Sequence, residues 1–137
     1  MNERYKTRLN NILNQNVWNT FGHDGEIQVA ISLIHLNKLE TYIYGAGKMV
    51  DNLIRFLRFE GICVKAIIDI DESKNGSEIE GVPVVTPENI GNKMNSNNFC
   101  FIWTMAFTGL SQNDIVKILF DNNIFCFLAV SESDRLD

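Results

Sequence analysis

The chain has 137 residues, 45% of them hydrophobic and 21% charged, with a formal net charge of -5. That length suits one domain with a modest core, and the composition excludes a disordered chain. The negative balance argues against a general nucleic-acid binder, which needs a basic face to neutralise phosphates.

No apolar run approaches the ~20 residues of a membrane helix. The start, Met1-Asn2-Glu3-Arg4-Tyr5-Lys6, is polar and leads into no signal-type apolar segment. Cys63, Cys100 and Cys126 are odd in number, sit inside apolar runs and lack metal-ligand spacing. They read as buried, reduced thiols of a cytoplasmic protein without a metal.

Tyr5, Leu9, Ile12, Leu13 and Val17 recur at helical spacing, so an amphipathic helix is expected over residues 2–19. Phe21-Gly22-His23-Asp24-Gly25 interrupts it. Asp24 is a suitable cap for a second helix with Ile27, Ala30, Ile31, Ile34 and Leu36 on its apolar side. Both helices precede the first strand, outside the strand–helix alternation. They are expected to cover a sheet face or edge, or to form a homodimer surface.

Tyr42–Tyr44 then reads as a short strand running into the turn Gly45-Ala46-Gly47. A helix follows from Lys48 to Phe59, with Met49, Leu53, Phe56 and Leu57 on one side and Gly61 as its left-handed terminator. Cys63–Asp69 is a second strand, apolar nearly throughout, as expected when both sheet faces are covered. Asp71–Ser77 is expected to be a polar, mobile loop. Ile79–Val85 supplies a turn and a short third strand, with Pro83 at an edge or strand start.

Thr86 and Pro87 open another helix. Asn95–Asn98 is a polar linker before the fourth strand, Phe99–Thr104. Ser111 and Asp114 are spaced as in a near relative of the capping box, ahead of a stripe of Ile115, Ile118, Leu119 and Phe120. Ile124–Val130 is the fifth strand, and a polar tail follows Ser131.

These elements predict an α/β fold: a mainly parallel five-stranded sheet with flanking helices, preceded by an N-terminal helical pair. The corresponding segments are residues 1–40, 41–131 and a tail at 132–137. Ligands of such sheets sit outside the carboxyl ends of strands where the strand order reverses. Gly45–Gly47, Asp69 and Thr104 are expected to converge there.

Glycines between a strand and a helix let backbone amides approach a phosphate, since a Cβ would obstruct the turn or the ligand. Gly45-Ala46-Gly47 is the first half of a dinucleotide fingerprint; its third glycine position holds the β-branched Val50. Asp69 ends the second strand 22 residues after Gly47 (69 − 47), where an acid accepts hydrogen bonds from ribose hydroxyls and repels a 2′-phosphate. The expected ligand-binding residues are therefore Gly45, Ala46, Gly47, Lys48, Asp69 and Thr104.

Lys48 resembles part of a phosphate loop. No glycine lies five residues ahead of Gly47, however, and Met49 stands where Ser or Thr is needed, so nucleotide hydrolysis is not indicated. Tyr44 and Lys48 have Tyr-x-x-x-Lys spacing by coincidence, because Tyr44 ends a strand. His23 and His35 lack partner motifs, and Trp103 and Phe107 read as core or rim packing rather than base-stacking groups. No Ser/His/Asp, Cys/His or metal-ligand constellation is present, so no catalytic residue is assigned.

The series Tyr42–Gly47, Ile67-Ile68-Asp69, Gly76, Ile79–Val84 and Pro87-Glu88 resembles the Rossmann-like domain of bacterial surface-polysaccharide proteins. That domain occurs in nucleotide-sugar epimerase/dehydratases, in sugar acyltransferases, and beside FkbM-type and sugar C-methyltransferases. The resemblance covers about residues 41–130. It implies a crevice for NAD or a nucleotide sugar lined by Gly45, Ala46, Gly47 and Asp69, in an accessory module of a larger system. Two alternatives stay open: an NAD-dependent nucleotide-sugar epimerase, dehydrogenase or dehydratase, and an interaction domain of a methyltransferase.

Overall fold

The computed structural model describes residues 18–20, 26–90, 97–103, 111–124 and 126–130. In chain order the elements are β1 (Trp18–Thr20), α1 (Glu26–Asn37), β2 (Glu40–Tyr44), α2 (Val50–Phe59), β3 (Val64–Ile68), a 3-10 turn at Glu72–Lys74, β4 (Glu78–Ile79), β5 (Val82–Val85), α3 (Pro87–Ile90), β6 (Asn98–Trp103), α4 (Gln112–Asp121) and β7 (Cys126–Val130).

The strands form one sheet in the order β1-β7-β6-β2-β3-β5-β4. All neighbours are parallel except the two-residue β4, which pairs antiparallel with β5 at the edge. The chain moves from β2 to β3 on one side and later returns to place β6 on the other. Strand order therefore reverses at β2, and this is the switch point of a Rossmann-like α/β fold.

Both faces of the sheet are covered. On one face α1 and α2 bury Ala30, Leu33, Leu53 and Leu57 against Ile43, Ile67, Phe101 and Trp103. On the other, Ile90 of α3 and Ile115 and Leu119 of α4 pack on Tyr44, Ile68, Ile102 and Phe127. Alternate residues of each central strand go to opposite faces, so the strands carry no polar face and read as continuous apolar runs.

The parallel sheet with flanking helices follows the sequence expectation, with seven strands in place of five. The two additions are β4 and β1. Trp18–Thr20 is a strand, not the end of a helix over residues 2–19; it pairs with β7 through Trp18↔Cys126 and Thr20↔Leu128. Three residues in a strand make no helical turn, so side-chain periodicity carried no sign of it. The remainder of the first expected helix, Asp24 and His23 lie outside the described residues.

Several local expectations change. Leu36 is 62% exposed and Phe120 is 38% exposed, so neither belongs to the apolar stripe of its helix. Phe120 instead meets Phe127 edge-on, with ring centroids 6.3 Å apart. Cys63 is exposed and Cys126 only partly buried; all three thiols are free, and Cys100 alone is fully buried. Burial pushes the Cys100 thiol far up from its ordinary value.

Candidate functional site

Helix α2 begins at Val50, two residues later than its apolar pattern suggests. The delay has a backbone cause: Met49 is left-handed (φ 66°), so the helix cannot extend back through it. Val50 faces the core among the α1–α2 residues rather than solvent, being 1% exposed. The segment 45–49 is therefore a five-residue bridge from β2 to the helix, with Gly45 at φ 106°, a value L side chains rarely adopt.

Three polar ties hold this bridge. The Gly45 N–H donates to the Ile68 carbonyl at 2.7 Å, continuing the β2–β3 pairing past the end of the strand. The Ala46 N–H donates to Asp69 Oδ2 at 2.8 Å. The indole Nε1–H of Trp103, at the end of β6, donates to the Lys48 carbonyl at 2.9 Å. The bridge is thus fastened to both strands that flank β2.

Asp69 follows β3 and is 9% exposed. Its other oxygen, Oδ1, accepts the Asp71 N–H at 2.8 Å, and its own N–H donates to the Val85 carbonyl at 2.9 Å. Lys74 sends its ammonium back to this point. Nζ donates to the Ala46 carbonyl at 3.2 Å and lies 3.9 Å from Asp69 Oδ2.

The segment expected to be a mobile loop is a hydrogen-bonded platform. The Asp71 carboxylate accepts from the N–H and hydroxyl of Ser73 at 3.0 and 2.7 Å, which holds it below the ordinary carboxylate range. Asn75 Oδ1 accepts from the Thr86 N–H and the Asn89 amide, and Gly76 and Val84 close a backbone ladder with Ser77. Short polar side chains bonding their own backbone replace the flexibility that such composition suggests.

Of the expected site residues, Gly45, Ala46 and Asp69 are brought together, with Gly47 in the same turn. Lys48 is exposed, and its carbonyl rather than its ammonium is used. Thr104 and Phe107 lie outside the described residues. Trp103 is fully buried in the core, which agrees with a packing role.

Tyr44 is a buried strand residue. Its hydroxyl is raised from 10.0 to about 12 by burial first, then by Asp69 and Cys100, which makes it a poor proton donor. His35 Nε2–H donates to the Glu60 carbonyl, 2.8 Å away, and ties α1 to the end of α2. Lys74 was missed from sequence. Its signal was its place in the loop just after Asp69, which polar composition concealed.

A groove of about 340 Å³ opens at the opposite, amino-terminal ends of β2 and β3, beside Ile34, His35, Thr41, Ile62 and Cys63. Among the described residues no group of three or more His, Cys, Asp or Glu is placed to hold a metal ion. No described helix is long and apolar enough to cross a membrane.

No protein-family model matches the sequence, and no characterised protein matches it at a significant level. Solved structures do resemble the fold. RSP, a Rex-family repressor, is 18% identical with a TM-score of 0.52, the match covering 96% of this chain and 77% of that one. The same repressor solved with β-NADH gives 18% identity, a TM-score of 0.50 and the same coverage. UDP-D-quinovosamine 4-dehydrogenase from Vibrio fischeri is 18% identical with a TM-score of 0.52, over 71% of this chain and 80% of that one. At these identities the likeness shows a Rossmann-like fold.

Proposed function

We propose that the chain is a nucleotide-binding module whose crevice lies over Gly45–Gly47 and Asp69. One observation carries the reading. At the strand-order reversal, a glycine turn with a left-handed entry is held by a buried carboxylate, through the 2.8 Å bond from Ala46 N–H to Asp69 Oδ2. A rigid turn at the carboxyl end of a strand is the arrangement that receives the phosphates and ribose of a nucleotide.

An NAD-type dinucleotide or a nucleotide sugar is the ligand class, and surface-carbohydrate biosynthesis the setting. The repressor solved with β-NADH and the dehydrogenase named for a UDP-sugar support those two ligand classes. Gly47 and Lys48 are assigned to the phosphate side of the crevice, and Thr104, outside the described residues, is kept as a candidate ligand contact from its sequence position. The module has no assigned catalytic group: it holds a nucleotide and performs no chemistry of its own.

Thermal unfolding with NAD+, NADH and UDP-glucose, each at high excess, tests this reading. A ligand at 100 times its dissociation constant stabilises the fold by about 2.7 kcal/mol, a shift of several degrees. The absence of any shift with all three would remove the proposal. Turnover of NADH or of the sugar in the same samples would instead favour an NAD-dependent enzyme.

A further inference from the structure

We infer that Lys74 adapts the ribose end of this crevice to a nucleotide bearing an additional phosphate on its ribose, of the 2′-phosphorylated dinucleotide kind. The inference rests on the nucleotide-binding reading above and concerns which nucleotide is taken. An acid at the end of the second strand of a dinucleotide fold excludes such a phosphate when it stands alone, because two negative charges would meet. Here it does not stand alone.

The Lys74 ammonium lies 3.9 Å from Asp69 Oδ2, and both carboxylate oxygens already accept backbone N–H groups, from Ala46 and Asp71. The charge of the acid is thus met by one cation and two amide dipoles, and much of its acceptor capacity is used.

Exposure decides which of the pair a ligand meets. The Asp69 side chain is 12% exposed and that of Lys74 is 42% exposed. An incoming group therefore encounters the cation first. Lys74 spends its hydrogen bond on a neutral carbonyl, that of Ala46 at 3.2 Å. A phosphate is a stronger acceptor for an ammonium than a carbonyl is, so the exchange favours the ligand.

The backbone need not move for this exchange. The residue sits at the end of the 3-10 turn Glu72–Lys74, whose start is held by the Asp71 side chain and whose exit is held by Asn75 and Ser77. The cation is carried on a fixed platform and only its flexible stem has to turn.

Calorimetric titration of the full chain with NADH and with NADPH tests the inference. The native chain is expected to bind NADPH at least as tightly as NADH. Lys74→Gln should weaken NADPH about tenfold, the scale of one lost charge-assisted bond, while NADH stays within about twofold. Lys74→Arg should retain the preference. Circular dichroism and melting of each variant check that the exposed substitution leaves the fold intact.

A native preference for NADH of tenfold or more would overturn the inference. So would equal weakening of both ligands by Lys74→Gln, which would make the residue a brace for the turn. In either case the nucleotide-binding reading survives; failure of both ligands to bind the native chain removes this inference and leaves the nucleotide-binding reading to the UDP-glucose melting test.

Discussion

At the amino ends of β2 and β3 the chain turns mainly on backbone bonds and apolar packing, whereas at their carboxyl ends it turns on polar and charged side chains. At the amino end, Leu39 N–H donates to the Ile34 carbonyl and Ile62 N–H to that of Leu57, closing α1 and α2, with the side chains of His35 and Asn37 bonding carbonyls beside them. Gly61, at φ 80°, permits the second of these reversals. At the carboxyl end the corresponding work falls to Asp69, Lys74, Asp71 and the Trp103 indole.

The difference shows where polar groups are structural and where they are poised. Apart from Gly61, the amino-end reversals are closed by backbone bonds that no one side chain has to supply. A turn held by a buried carboxylate has one acceptable occupant, and the same carboxylate is the group a ligand would address. On the proposed reading, structure and binding would share an atom there.

The strand joining the two ends supplies the largest expected effect. Tyr42 and Tyr44 are both buried and both raised from 10.0 to about 12, by burial first, then by Glu40 for Tyr42 and by Asp69 for Tyr44. Because the folded values lie above the unfolded one, the unfolded chain loses these protons first. The stability contributed is complete below pH 10 and is lost as pH rises towards about 12. A phenolate absorbance titration should show two of the three tyrosines ionising late and together with unfolding. Ionisation near pH 10 with the fold intact would contradict the burial at both ends.

A substitution at the carboxyl end comes next. Asp69→Ala leaves the buried N–H of Ala46 and the part-buried N–H of Asp71 without their acceptor, and should cost about 2 kcal/mol in urea unfolding. It should also abolish any melting shift with nucleotide. A loss below about 1 kcal/mol would mean that the turn holds itself and the acid is reserved for ligand.

The smallest effect has the opposite sign and belongs to the amino end. The Thr41 hydroxyl is buried and has no hydrogen-bond partner among the described residues. Thr41→Val removes an unsatisfied polar group at nearly constant shape, so it should stabilise by roughly 0.5–1 kcal/mol. Destabilisation by that change would erase the contrast between the two ends.

Much of the fold was legible because it depends on pattern. Near-continuous apolar strands, Gly61 after a helix and Ser111 with Asp114 each follow from local rules, and the capping box at Ser111 is formed with both bonds. The meeting of Gly45-Ala46 with Asp69 was legible from spacing, since an acid 22 residues after Gly47 reaches the neighbouring strand end.

What escaped lacked a period. β1 is too short to show alternation, and the left-handed Met49 is a backbone state that Met does not advertise. The 71–77 platform is built from Asp, Ser and Asn bonding to their own backbone, a use indistinguishable in sequence from solvated loop residues. Lys74 escaped for the same reason.

The pairing of β1 with β7 bears on how the molecule is made. Trp18 and Cys126 are aligned neighbours in the sheet although 108 residues separate them along the chain (126 − 18). Contacts so distant in sequence close late and slow the search for the native state. During synthesis β1 emerges early but has no partner strand until the chain has grown past β7. The centre around β2, β3 and β6 can assemble before then, so the crevice is expected to form ahead of the completed edge.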